Sequence, residues 1–290
     1  MIFDCGLRIS LAFMLLAFLQ GCGSPPKPER PSDTGRRLSA EAALAHDSGK
    51  VREAVALYAD ALKEYTRVDD TAGIARVSNN LAVLLALTGK MEAAESTAIQ
   101  ALATYRKLGD DLACARALLN LGSILLQNGK PAEAREIFDL VLPSFAADAH
   151  PRERARALLG MAQALCGEGK AGEAWPLIEE SRILFGAGID MAEQAAVEIA
   201  SARVSCQSGN LVEAMGYALK ALELDKARGA SLDVLNDLEE LGNIYAHAGG
   251  QNNTAADYYT RALASARALR HEPAIKRLQA KLAAVSDKER

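Results

Sequence analysis

The chain has 290 residues, half of them apolar but only 5% aromatic, and a net charge of −4. A core of alanine and leucine, poor in aromatic and β-branched residues, excludes a β-sandwich and favours closely packed helices. Mild acidity without a long run of either sign excludes the electrostatic footprint of a nucleic-acid binder and a charged interaction tail.

The first element is apolar. From Ile9 to Leu19 only Ser10 is polar. Eleven helical residues reach about 16 Å, roughly half of a hydrocarbon core. The segment is too short to span a bilayer and fits the centre of a secretory signal. It ends in Leu19-Gln20-Gly21-Cys22 and is followed by "GSPPKPERPSDTGRR", which holds four prolines and no large apolar side chain. That composition reads as an extended, semi-rigid linker. Leu19 to Cys22 resembles the lipobox of bacterial lipoproteins. The resemblance implies cleavage after Gly21 and a lipidated Cys22. With glycine rather than aspartate at position 23, it also implies export to the outer membrane, facing the periplasm. The other reading is a plain secretory signal with an incidental cysteine. The expected organisation is a signal peptide at 1–21, a lipidated cysteine and linker at 22–37, and one folded domain at 38–290.

Beyond the linker the chain repeats. Gly49, Gly89, Gly129, Gly169 and Gly209 stand forty residues apart in "SGK", "TGK", "NGK", "EGK" and "SGN", and Gly249 follows in register with one inserted residue after it. A fixed period of this length marks an array of helical hairpins. Five residues after each glycine comes alanine: Ala54, Ala94, Ala134, Ala174, Ala214 and, past the insertion, Ala255. Seven before it comes a small residue: Ala42, Ala82, Gly122, Ala162, Ala202, Gly242. Small residues let paired helices approach closely. The turn glycine takes the left-handed conformation that ends the first helix. The spacing predicts hairpins at 38–48/51–67, 71–88/91–108, 111–128/131–147, 151–168/171–186, 190–208/211–228 and 231–248/252–269. A last helix at 273–286 carries an apolar stripe of Ile275, Leu278, Leu282 and Val285 and caps the open end.

This pattern resembles the tetratricopeptide repeat, most fully in "LGNIYAHAGGQNNTAADYYTRAL" (Leu241 to Leu263), and specifically its longer, forty-residue variant with "NL(G/A)" in the first helix. HEAT and armadillo arrays share the period but not the small-residue pairing. The resemblance implies an all-α, right-handed α-solenoid of about six hairpins with a capping helix. It also implies a concave groove lined by the first helix of each hairpin.

No residue pattern points to catalysis. His46, His150, His247 and His271 are scattered, and no metal-binding or phosphate-binding motif appears. The expectation is a non-enzyme with no cofactor and no metal. Cys114, Cys166 and Cys206 read as free thiols behaving as small apolar residues. The groove candidates are Arg76, Arg116 and Arg156, thirteen before the turn glycine; Asn80 and Asn120, nine before; and Ser123, Gln163 and Arg203, six before. Offsets of four and three put them on one helical stripe. In the resembling repeats, asparagine of the "NL(G/A)" motif bonds the backbone of an extended peptide. Two readings of the arginines stand side by side. They form a ladder for an acidic segment of another envelope protein, or each pairs with a nearby acid of the connecting loops, among Asp69, Asp70, Asp110, Asp111 and Glu153. The function expected is a lipid-anchored adaptor or assembly factor. The alternative is a structural spacer or self-assembling scaffold using the convex face or the solenoid ends.

Overall fold

The computed structural model describes residues 30–287. The expected signal peptide, Cys22 and the first part of the linker lie outside the described residues. Within them the chain forms thirteen α-helices and no strand. Six antiparallel hairpins follow one another: α1 (Pro31–Asp47) with α2 (Val51–Arg67), α3 (Thr71–Leu87) with α4 (Met91–Leu108), α5 (Asp111–Gln127) with α6 (Pro131–Val141), α7 (Pro151–Gly167) with α8 (Ala171–Phe185), α9 (Met191–Gln207) with α10 (Leu211–Ala227), and α11 (Ser231–His247) with α12 (Asn252–Ala268). Helix α13 (Glu272–Asp287) closes the array. No helix among the described residues is long and apolar enough to cross a membrane.

The forty-residue period is a repeated helix stop. Gly49 and its equivalents through Gly249 all have φ between 66° and 82°. The first five turns are tied the same way. At the first, the Lys50 N–H donates to the Ala45 carbonyl at 2.8 Å and the Gly49 N–H to the His46 carbonyl at 2.8 Å. These bonds satisfy carbonyls the helix end would leave orphaned.

The two rows of small residues meet in the core. Ala42, Ala82, Ala162 and Ala202 before the turns, and Ala54, Ala94, Ala134, Ala174, Ala214 and Ala255 after them, are fully buried. Aromatic rings fill the spaces left where the small residue is glycine. A Cβ built on Gly122 would meet the Phe138 ring at 2.8 Å, and one on Gly160 of the next hairpin would meet it at 2.3 Å. The ring is held between consecutive hairpins by the absence of two side chains.

Two boundaries differ by more than one residue from the sequence expectation. Helix α1 starts at Pro31, inside the expected linker. Proline breaks a helix only in its interior; at the first position it is favoured, and Asp33 in the first turn suits the helix dipole. Helix α6 stops at Val141, because Pro143 follows in a short 3₁₀ turn, Leu142–Ser144. Helix α13 runs one residue further at each end than 273–286.

First helices of successive hairpins, such as α5 with α7 and α7 with α9, pack against one another, whereas the second helices make no comparable contact. The first helices therefore lie on the inner, concave side. The curvature brings the ends of the array together. The Arg52 guanidinium donates to the Arg270 carbonyl at 2.7 Å, across 218 residues of chain. A Cβ on Gly89 would lie 2.6 Å from the Pro273 ring. Within-hairpin turns of the first two hairpins thus touch the link between α12 and α13, on the opposite edge of the array. The solenoid completes one superhelical revolution and meets itself edge to edge.

The concave groove

The predicted stripe falls on the concave helices: Arg76 and Asn80 on α3, Arg116, Asn120 and Ser123 on α5, Arg156 and Gln163 on α7, and Arg203 on α9. The three ladder arginines occupy three different environments. Arg116 donates from Nε and Nη2 to Glu153 Oε1 at 3.0 and 2.7 Å. Glu153 belongs to the next first helix, thirty-seven residues on. Burial pushes the Glu153 carboxyl up, but the Arg116 hydrogen bonds and charge outweigh it and the net shift is downward. Arg156 reaches Glu193 Oε1 at 3.7 Å, an oxygen that Arg152 approaches at 3.3 Å. Arg76 has no carboxylate partner among the described residues. It donates to the Tyr65 hydroxyl at 3.2 Å, with its guanidinium carbon 5.6 Å from the ring centroid. Arg203 pairs with Glu240 at 3.4 Å.

Arg116, Arg156 and Arg203 therefore do pair with acids, Arg116 with Glu153 of the acids the sequence offered, while Arg76 pairs with none among the described residues. Asp110 and Asp70 are helix caps. Asp110 Oδ1 accepts from the Ala113 N–H and Asp70 Oδ1 from the Gly73 N–H, each at 2.9 Å. The pairing runs instead from one hairpin to the next. The same holds at the end of the array, where Arg277 forks onto Glu239 at 2.7 and 2.6 Å and Lys281 reaches it at 2.8 Å. Burial pushes Glu239 up, and these two cations bring it net below its ordinary value.

The asparagines divide as sharply. Asn80 donates to the Tyr58 hydroxyl at 3.2 Å. The equivalent of Tyr58 one repeat later is Ala98, which has no hydroxyl, and half-buried Asn120 makes no side-chain hydrogen bond among the described residues. Gln163 is likewise unpaired, while Ser123 donates to its own helix at the Leu119 carbonyl, 3.1 Å away. In the sixth hairpin the tyrosine returns: Tyr259 donates to Asn243 Oδ1 at 3.0 Å, and Lys281 donates to the same oxygen at 2.7 Å.

Sequence reasoning missed two features. Arg36 stands forty residues before Arg76 but fell in the expected linker; it pairs with Asp33 at 2.6 Å. The second is a buried carboxylate cluster between α10 and α11. Arg228 bonds Asp225 at 2.7 Å and also contacts Asp233. Asp237, 2% exposed, leaves Oδ2 without a partner. Burial first, and the adjacent Asp225 charge second, push its carboxyl up to about 8. Cys114, Cys166 and Cys206 are free thiols, and burial pushes Cys166 up to about 11. Among the described residues no cluster of histidine, cysteine and carboxylate side chains is arranged to hold a metal.

A tetratricopeptide-repeat family model matches residues 36–107 and 73–147. No curated protein matches the chain. Among solved structures, the Rap conjugation gene regulator of plasmid pLS20, in complex with the Phr* peptide, superposes with a TM-score of 0.69 at 16% identity, over 94% of this chain and 69% of that one. A Rap protein complexed with competence and sporulation factor gives 0.63 at 12% identity, over 88% and 75%. A signal-transduction ATPase of Pyrococcus horikoshii with a tetratricopeptide-repeat sensor gives 0.59 at 17% identity, over 82% of this chain but only 36% of that one. At these identities the likeness is one of fold. Residues 36–147 carry tetratricopeptide repeats, and the array they open is an α-solenoid of the kind seen in Rap proteins.

Proposed function

We propose that the protein is a non-enzymatic adaptor that holds an extended segment of a partner protein in its concave groove. The observation that carries this reading is the Asn120 amide, half-buried on the groove face and unpaired. A planar group with two donors and an acceptor can pair with one peptide unit of an extended chain. Next to it along the array, Arg76 offers the one ladder guanidinium without a carboxylate, giving the partner a place for one acidic side chain. Neighbouring first helices lie about 10 Å apart, near the length of three extended residues, so successive repeats suit successive segments of one strand. Two structures of similar fold were solved with the Phr* peptide and with competence and sporulation factor, which supports a peptide-like partner.

Crosslinking from native membranes would identify the partner segment, and its affinity can then be measured on variants. Asn120→Ala and Arg76→Glu should each weaken binding at least tenfold without moving the melting temperature. Parent-like affinity in both would end the groove reading. The lipobox-like Leu19 to Cys22 supports a second element of the proposal, a lipid anchor that holds the adaptor at the bacterial outer membrane, facing the periplasm. Intact mass and membrane fractionation of the parent and Cys22→Ser test it. A parent without lipid mass rules the anchor out.

A further inference from the structure

The seam where the solenoid meets itself forms a half-open cavity of about 380 Å³. Its walls come from both ends of the array: Lys50 and Arg52 from the first hairpin, and Arg270 and His271 from the link between α12 and α13, with Leu87 and Leu232 among the apolar residues. Charge is unbalanced here. Glu53 is the acid of the lining, and it lies 3.5 Å from Lys50. Neither Arg52 nor Arg270 has a carboxylate partner among the described residues, unlike Arg116, Arg156, Arg203 and Arg277 elsewhere. His271 Nδ1 accepts from the Ala274 N–H at 3.1 Å, which leaves the ring proton on Nε2 as a donor.

Arg270 holds φ at 50°, in the left-handed region. The equivalent links earlier in the array reach that region with Asp69, at φ 53°, and with Gly109 and Gly229, at 68° and 71°. Arg270 thus shares its conformation with Asp69 and is set apart by its charge: it stands in the cavity lining with Arg52.

We propose that the seam cavity binds a small organic anion: a carboxylate or phosphate head on a short apolar body. Two uncompensated guanidinium groups, with His271 as a further donor, supply the fork geometry that anionic oxygens fit. The leucines accept the apolar body. The volume, that of about a dozen waters, suits a body of roughly six to ten carbons. A ligand held by residues from both ends of the array bridges the seam, so it stabilises the closed revolution over any opened form. This site stands independently of the partner groove.

Calorimetric titration of the full chain tests it with octanoate, octyl phosphate, acetate, inorganic phosphate and octylamine. One or both of the tailed anions should saturate and raise the melting temperature, the better one naming the head group. The bare anions and the tailed cation should not bind at the same concentration. Arg270→Gln should weaken binding at least tenfold, and Leu232→Trp should abolish it by filling the cavity. Lys107→Gln, removing an exposed charge elsewhere, should leave it unchanged. Arg52→Gln is a second charge variant, and circular dichroism checks that each variant folds. Parent-like affinity in both arginine variants, octylamine binding as tightly as octanoate, or no saturation by either tailed anion overturns the proposal.

Discussion

At the scale of single residues, the telling departure is Asp225. Sixteen residues after their turn glycines the earlier hairpins place Tyr65, Tyr105, Phe145 and Phe185; the fifth hairpin places Asp225. A carboxylate in an aromatic slot needs company, and Arg228 supplies it, but Asp237 is buried beside it with one oxygen orphaned. The consequence is a pH dependence with a definite sign. Asp237 is pushed up to about 8 in the folded protein, from an ordinary value of 3.8. Over that window the folded state keeps a proton the unfolded state has released. Stability therefore falls as pH rises from about 4 to about 8, and the loss is complete above 8. The melting temperature of the parent should drop between pH 5 and pH 8.5 by more than that of Asp237→Asn; equal drops would refute the assignment. Arg116 makes a second case. Arg116→Glu places a like charge against partly buried Glu153 and should destabilise by about 1 kcal/mol or more, read by denaturant titration. Periodicity placed Arg116 on the right face. It offered Glu153 among several acids but could not assign it to Arg116, because the two are thirty-seven residues apart and meet only through the packing of α5 on α7. In the same way, the freedom of Asn120 depends on Ala98, an exception visible in the sequence whose meaning needs the contact between hairpins.

At the scale of the elements, hairpins were legible because each ends in a residue with its own backbone chemistry. A glycine every forty residues is a repeated stop, and the small residues around it fix which faces meet. Prolines were harder to read. Pro31 begins a helix and Pro143 ends one, and the same residue type does both according to whether its missing N–H was needed. The packing unit spans two hairpins, as Phe138 shows. Phe138→Ala should cost about 3–5 kcal/mol, since the ring is fully buried and its neighbours carry no side chains with which to collapse. Gly160→Ala places a methyl within 2.3 Å of that ring and should cost about 1–3 kcal/mol by overpacking. Combined, the two substitutions should cost less than the sum of the singles, because the new methyl occupies the space the ring leaves. A double-mutant cycle in urea measures this, and strict additivity would mean that the ring does not fill the space beside Gly160.

At the scale of the whole molecule, closure was beyond sequence reasoning. Each hairpin adds a small rotation, set by side-chain volumes across every interface. Whether six of them sum to a revolution depends on all of those interfaces together. The contact itself is slight, with one hydrogen bond from Arg52 to the Arg270 carbonyl and the seating of Pro273 against Gly89. Arg52→Ala should therefore cost no more than about 1 kcal/mol globally. It should still speed amide exchange around residues 269–274 and enlarge the radius of gyration in X-ray scattering. Unchanged exchange and size would show that the seam does not depend on this bond.

The seam also alters how disorder can enter the molecule. A linear stack of repeats frays from its two ends, since a terminal unit has one neighbour where an inner unit has two. Joining the ends gives the first hairpin a second neighbour, though through a slight contact, so fraying at either end must first break the seam. Local opening would then begin at the weakest interface, wherever it lies in the circle. The link carrying Arg270 and the buried carboxylates of α10 and α11 become the natural places to look for it.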